Sequence, residues 1–204
     1  MFLFDLIVFL HISVKIEKTP RITQMVLNYK EAITQFGNAY KLSQAVSGGL
    51  VFKLEDGIYS TNKQEPELGI IMKKYPKAVL AGEYAFYAHG LTNLIPEKYD
   101  LATTSKAAKL TDKRVRQIYV REDIFNLGIE EKEKNGVLLR IYDKERMLIE
   151  LLRAKNSMPY DLYKEILIHY REIICELEIW RIQEYASVFP KSKMISKALD
   201  EEVL

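Results

Sequence analysis

The chain has 204 residues, 48% of them hydrophobic, so it can bury one large core or two small ones. Its formal net charge of +2 excludes a uniformly basic coat, and any nucleic-acid surface must therefore be local. A single cysteine, Cys175, excludes an internal disulfide framework and suits a reducing, cytoplasmic location. Because Cys175 lies among Ile173, Ile174 and Leu177, we expect a buried, unreactive thiol.

The first segment, residues 1–16, is apolar but contains Asp5 and His11. It is too short and too interrupted to favour a membrane span, and its flanks do not match those of a signal peptide. We expect no membrane association. Two interpretations of residues 1–24 remain open: they form an extra element packed on the domain, or they reflect start-site choice, with Met25 as the natural start.

Two short amphipathic helices are expected next. The first covers residues 29–36 and ends at Gly37; the second begins at Asn38, a good N-cap, and ends at a pair of glycines. The apolar stripe of the second helix is formed by Leu42, Ala45 and Val46. Its polar side carries Tyr40, Lys41, Ser43, Gln44 and Ser47.

A tight hairpin follows, with an Asp56-Gly57 turn between strands at 50–54 and 58–60. Helix, turn, helix, hairpin is the order of a winged helix-turn-helix, in which the second helix enters the major groove and the hairpin is the wing. The sequence therefore predicts such a DNA-binding domain over residues 25–62. The predicted DNA contacts are Tyr40, Lys41, Ser43, Gln44 and the wing residue Lys53.

Residues 63–204 combine extended and helical patterns. We expect helices at 64–74 and 83–89, strands at 77–81, 99–103 and 117–121, and a hairpin at 129–134 and 137–142. Asp143 then caps a helix to residue 153, and further helices are expected at 160–170, 172–187 and 191–199. The predicted fold class is α+β: an N-terminal winged helix-turn-helix, then a mixed α/β domain with a C-terminal helical bundle.

The titratable residues do not form a recognisable catalytic pattern. The histidines His11, His89 and His169 are far apart, and none has a metal-ligand spacing, so we expect no metal and no cofactor. His89 precedes a helix-capping glycine, which favours a structural role. An alternative is a nuclease or nucleotidyl-transfer enzyme that uses Asp100 with Lys106, but a lone strand aspartate is more often structural. A third interpretation is an interaction module with a vestigial wing.

Several short motifs, in this order and spacing, resemble the AbiEi family of antitoxins, which are transcriptional regulators of abortive-infection operons. The motifs are Gly57-Ile58-Tyr59, Tyr75-Pro76-Lys77-Ala78, Glu83-Tyr84-Ala85, His89-Gly90-Leu91-Thr92, and Tyr142-Asp143-x-Glu145-Arg146 with Leu148 and Leu151-Leu152-Arg153. The resemblance covers residues 29–204. The chain departs from the family pattern in its DNA-binding region, because the first helix of that domain must come from residues 1–27 or be missing.

The resemblance implies a DNA-binding, non-enzymatic repressor of its own operon that binds an inverted-repeat operator in double-stranded DNA. It implies that residues 63–204 supply antitoxicity against an AbiEii-type nucleotidyltransferase toxin, with no stable complex expected. A surface for this role would include the basic residues Lys106, Lys109, Lys113, Arg114 and Arg146.

Arg146 allows two interpretations. In the first, it packs on the sheet and pairs with Glu150 or a backbone carbonyl. In the second, it faces phosphate or RNA beside a basic segment, residues 106–116, and supports antitoxicity. The four-residue spacing between Arg146 and Glu150 favours the first interpretation.

Overall fold

The computed structural model describes residues 26–134 and 137–203. The interpretations of residues 1–24 and of Met25 as a start lie outside these ranges. The described chain is a mixed α+β protein with two sheets and a helical C-terminal region, which confirms that part of the predicted fold class. It divides into two compact units, the first ending at Lys74 and the second beginning at Tyr75.

The first unit is a small three-stranded sheet with helices. Its elements are β1 (Val26–Asn28), α1 (Tyr29–Phe36), α2 (Ala39–Ser47), β2 (Phe52–Glu55), β3 (Ile58–Ser60) and α3 (Glu67–Lys74). The strand order is β1-β3-β2, and both pairings are antiparallel. The sequence predicted both helices and the hairpin, but it did not predict β1.

Local hydrogen bonds fix the start of α1. The Asn28 side chain accepts from the Glu31 backbone N–H at 3.0 Å, and the Glu31 carboxylate accepts from the Asn28 N–H at 2.9 Å, forming a capping box. The helix ends at Gly37, whose φ of 93° is costly for any residue with a side chain. Leu27 and Ala32 then form a buried core with Leu42 of α2.

The helix α3 belongs to the first unit, so the domain boundary predicted between residues 62 and 63 differs from the observed one. Lys73 Nζ lies 2.7 Å from the Glu31 carboxylate, and Lys74 Nζ lies 3.1 Å from that of Glu55. These ion pairs join α3 to α1 and to the hairpin. Periodicity alone could locate the helix but not the unit on which it packs.

The second unit is a five-stranded sheet with helices. Its strands are β4 (Val79–Leu80), β5 (Tyr99–Thr104), β6 (Val115–Val120), β7 (Ile129–Lys134) and β8 (Val137–Tyr142). Its helices are α4 (Gly82–Ala88), α5 (Glu122–Phe125), α6 (Lys144–Ala154), α7 (Tyr160–Ile173), α8 (Ile179–Val188) and α9 (Ser192–Glu202). The sheet order is β6-β5-β4-β8-β7, so β6 and β7 form its two edges.

Helix α6 fills the centre of this unit. The Asp143 side chain caps it by accepting from the Arg146 backbone N–H at 2.7 Å, as the sequence predicted. Met147, Leu148, Leu151 and Leu152 are buried, which is the predicted apolar face. Full burial of this face explains why the helix organises the core of the unit.

The prediction of a buried thiol is wrong, because Cys175 is exposed. It lies in a short 3-10 turn, Ile174–Glu176, between α7 and α8. The chain changes direction here, so apolar neighbours in sequence no longer share a buried face with the thiol.

Candidate nucleic-acid interface

Helix α2 separates an apolar face from a polar one. Leu42 and Ala45 are buried, whereas the four DNA contacts predicted on this helix lie on its exposed side. Those four contacts are Tyr40, Lys41, Ser43 and Gln44, and Ser47 of the same helix is exposed as well. Asn38 caps the helix by accepting from the Lys41 backbone N–H at 2.9 Å, so the first turn is held in place by the chain itself.

Two of the predicted contacts interact with each other. The Gln44 side-chain amide donates a hydrogen bond of 2.9 Å to the hydroxyl of Tyr40, one turn earlier, and Tyr40 is 70% exposed. This bond occupies one amide hydrogen of Gln44. The amide oxygen and the second amide hydrogen remain available. They can accept from the N6 amino group of adenine and donate to its N7 in the major groove.

The predicted phosphate contact on the hairpin, Lys53, is paired with a carboxylate of the same hairpin. Lys53 is exposed, but its ammonium lies 2.6 Å from the Asp56 carboxylate at the hairpin turn. The hydrogen bond with Asp56 raises the pKa of Lys53, and the same bond lowers the pKa of Asp56. A phosphate at this position would compete with Asp56 for Lys53.

The basic segment of the second unit is at the surface but partly paired. Lys106 Nζ lies 2.9 Å from the Glu122 carboxylate, and the Arg114 guanidinium lies 2.6 Å from that of Asp112. Lys109 and Lys113 are exposed. The segment therefore presents lysine side chains to solvent, while Arg114 is half-buried and braces the loop that precedes β6.

Arg146 is not a surface residue, and its inclusion in an antitoxicity surface is wrong. Its side chain is 0% exposed, and its guanidinium lies 4.3 Å from the ring centres of both Tyr142 and Phe189. It donates to the Ile124 carbonyl at 2.6 Å and to the Glu150 carboxylate at 3.0 Å. The first interpretation of Arg146, pairing with Glu150 or a backbone carbonyl, is therefore confirmed.

The two residues of the enzyme alternative are each paired with another side chain. Asp100 is fully buried, and its carboxylate accepts from Arg116 of β6 at 2.7 Å. Its neighbour Gly82 begins α4, where an added Cβ would lie 2.6 Å from Asp100 Oδ2. Lys106 pairs with Glu122 instead. Asp100 thus holds the start of α4 against β6.

The second unit contains a polar cavity of about 410 Å³ that the sequence did not predict. Its lining includes His89, Lys132, Lys144 and Glu145. The His89 Nε2 lies 2.7 Å from the Tyr142 carbonyl, which can only accept, so this nitrogen carries the hydrogen. Burial lowers the pKa of His89 to about 4, and its neutral ring is consistent with the structural role that the sequence favoured.

Sequence spacing could not have shown this cavity, because its residues come from four separated segments of the chain. Within residues 26–134 and 137–203, no group of three or more metal-binding side chains lies close enough to hold an ion. Over the same ranges, no helix combines the length and apolar character needed to cross a bilayer.

Comparison with known proteins gives a structural likeness and little else. No family model matches the chain, and no curated protein matches it. Among solved structures, the crystal structure of the RV2827C protein from Mycobacterium tuberculosis is similar, with a TM-score of 0.57 at 14% identity. The match covers 93% of this chain and 74% of that chain. At this identity, the likeness shows the fold alone.

Proposed function

We propose that this protein is a DNA-binding transcriptional repressor and antitoxin. The first unit reads double-stranded operator DNA as a winged helix-turn-helix, with α2 in the major groove and the β2-β3 hairpin as the wing. The second unit counteracts a nucleotidyltransferase toxin encoded beside it. The protein acts without catalysis, and the cytoplasm is its expected location.

The observation that supports DNA reading is the division of α2 into a buried and an exposed face. Leu42 and Ala45 anchor the helix, and four adjacent polar side chains point away from the core. A helix that is held by its own cap and presents polar side chains in this way is suited to the major groove, which admits one helix.

The charges of the first unit support a modest affinity for DNA and separate roles for Lys41 and Gln44. Lys53, Lys73 and Lys74 are engaged in ion pairs with carboxylates of the same unit. On the exposed face of α2, Lys41 is the basic residue, and no ion pair joins it to another described residue. We therefore assign Lys41 to phosphate and Gln44 to a base edge.

The test of this assignment is a salt titration of DNA binding. The full chain is bound to labelled DNA from upstream of its own gene, and the dissociation constant is measured by fluorescence anisotropy at several salt concentrations. Lys41→Ala should weaken binding to every sequence and reduce the salt slope by about one unit, because one phosphate contact is lost. Lys193→Ala, an exposed lysine on α9, is the control and should change neither.

The antitoxin assignment comes from the resemblance to AbiEi and is tested by co-expression. Growth is followed in cells that express the neighbouring gene product with either the full chain or residues 75–204, which correspond to the second unit. Rescue by both proteins is expected. Rescue by the full chain alone would place antitoxicity outside the second unit, and rescue by neither would leave the repressor function only.

A further inference from the structure

The two edges of the five-stranded sheet have opposite chemistry. On one edge, β7 carries five consecutive charged residues after Ile129, a pattern that discourages pairing with another chain. On the other edge, β6 has the sequence VRQIYV, and β5 is the one strand that pairs with it among the described residues. The edge formed by β6 is therefore the one open to another strand.

The register of β6 shows which backbone groups face outward. The Arg114 carbonyl accepts from the Tyr99 N–H at 2.9 Å, so the even-numbered residues of β6 turn their backbone groups toward β5. Odd-numbered residues turn theirs away. The Val115 N–H bonds to the Asp112 carbonyl, which leaves the backbone groups of Gln117 and Tyr119 directed outward.

We propose that β6 pairs antiparallel with β6 of a second copy of the chain and joins two sheets into one. In the register we infer, Gln117 of one copy lies opposite Tyr119 of the other, and each pair exchanges two backbone hydrogen bonds. Ile118 then lies opposite its own counterpart on the two-fold axis. This register uses the outward-directed groups of both residues.

Charge complementarity favours a second copy as the occupant. Lys113, which is exposed and joined by no ion pair to another described residue, precedes β6, whereas the half-exposed Asp123 follows it and pairs with the exposed Arg121. Arg114 and Glu122 are held by Asp112 and Lys106 of their own copy. In an antiparallel pair about Ile118, Lys113 of each copy meets Asp123 of the other and can exchange with Arg121 for that carboxylate. Two such contacts are formed at once, because a two-fold interface uses every contact twice.

The side chains of the edge are also compatible with this pairing. A two-fold axis perpendicular to the sheet keeps the same face of both sheets on one side, so Arg116 lies beside Val120 of the other copy. Tyr119 is 51% exposed in one copy, a large exposure for a strand residue. Pairing places its ring beside Gln117 and covers part of it.

This proposal does not depend on DNA binding, although a two-fold dimer would suit an inverted repeat. The test is the mass of the full chain without DNA, measured by sedimentation equilibrium across a concentration series. We expect a mass that rises from 23.8 kDa toward twice that value. Tyr119→Pro should raise the dimer dissociation constant at least tenfold, because proline removes an outward-facing N–H and leaves the β5 ladder intact.

Tyr119→Thr is the matched control, since it keeps the N–H and suits a strand, and it should weaken the dimer less than Tyr119→Pro. A charge swap gives a second readout that does not depend on proline. Lys113→Asp and Asp123→Lys should each weaken the dimer, and the double variant should restore it. Thermal melting of each variant confirms that the fold is retained.

The register is tested by a disulfide across the axis. In a Cys175→Ser background, Ile118→Cys should cross-link two copies, because opposite residues at a non-hydrogen-bonded position lie close enough to bridge. Leu138→Cys, an exposed position on β8, should not cross-link. A full chain that stays monomeric throughout the series overturns the proposal. A dimer unaffected by both Tyr119→Pro and the charge changes overturns it as well.

Discussion

Replacing Arg146 with alanine is the sharpest test of the core of the second unit. The guanidinium is completely buried between two aromatic rings and donates to the carbonyls of Ile124 and Leu127, at 2.6 and 3.3 Å, and to the carboxylate of Glu150. It therefore joins α6 to the short segment around α5. Arg146→Ala removes these contacts and leaves the carbonyls without their donor.

The cost follows from the burial of the charge. Removing one partner of a buried, hydrogen-bonded ion pair costs about 3–5 kcal/mol, because the remaining polar groups stay desolvated. For a chain of this size, each kcal/mol lowers the melting temperature by about 2–4 °C, so a total decrease of roughly 6–20 °C is expected. Arg146→Lys should not restore stability, since lysine lacks the planar fork that reaches both partners.

Arg153→Ala is the matched control. Arg153 also pairs with Glu150, at 2.7 Å, but its side chain is 33% exposed, so its loss should cost less than about 1 kcal/mol. Melting is followed by circular dichroism for the three variants and the parent chain. If Arg146→Ala melts within about 2 °C of the parent chain while antitoxicity is lost, Arg146 acts at the surface and this reasoning is wrong.

Three further predictions concern the same unit. Leu148→Ala should lower the free energy of unfolding by about 2–5 kcal/mol in chemical denaturation, because the side chain is fully buried. The free energy of unfolding should fall by up to about 3 kcal/mol as the pH decreases from about 6.5 toward 4, because His89 takes up a proton in the unfolded chain before it does so in the folded one. His89→Gln should flatten this dependence when melting is measured across the same pH range. Gly128→Ala should reduce the melting temperature, because Gly128 has a φ of 68° and an added Cβ would lie 2.7 Å from Arg146 Cβ and 2.8 Å from Asp143 Oδ1. An unchanged melting temperature would contradict this geometry.

Strong local signals let the sequence locate many elements. Asn38 and Asp143 both cap helices as predicted, and the strands at 129–134 and 137–142 have the predicted bounds, although their turn lies outside the described residues. These signals depend on residues close together in the chain. Hydrogen bonding at a cap or alternation in a strand can therefore be recognised without knowledge of the fold.

Predictions that depend on distant contacts were less successful. The burial of Arg146 depends on the ring of Phe189, 43 residues later, and the packing of α3 depends on Glu31 and Glu55. The pairing of Lys53 with Asp56 shows a different limit, because spacing allows such a pair without deciding whether it forms. On the exposed face of α2, by contrast, helical periodicity alone was sufficient to group the candidate DNA contacts.

The measurement that tests the central claim most directly is the preference of the full chain for its own upstream DNA over a scrambled duplex, at one fixed salt concentration. The parent chain should prefer the operator, and Gln44→Ala should reduce that preference by about 1–3 kcal/mol, because a base-edge contact is lost while phosphate contacts remain. Tyr40→Phe should reduce the preference partly, because the hydroxyl that holds the Gln44 amide is removed. An operator preference that is absent in the parent chain, or unchanged in Gln44→Ala, would contradict the assignment of α2 as the DNA-reading helix.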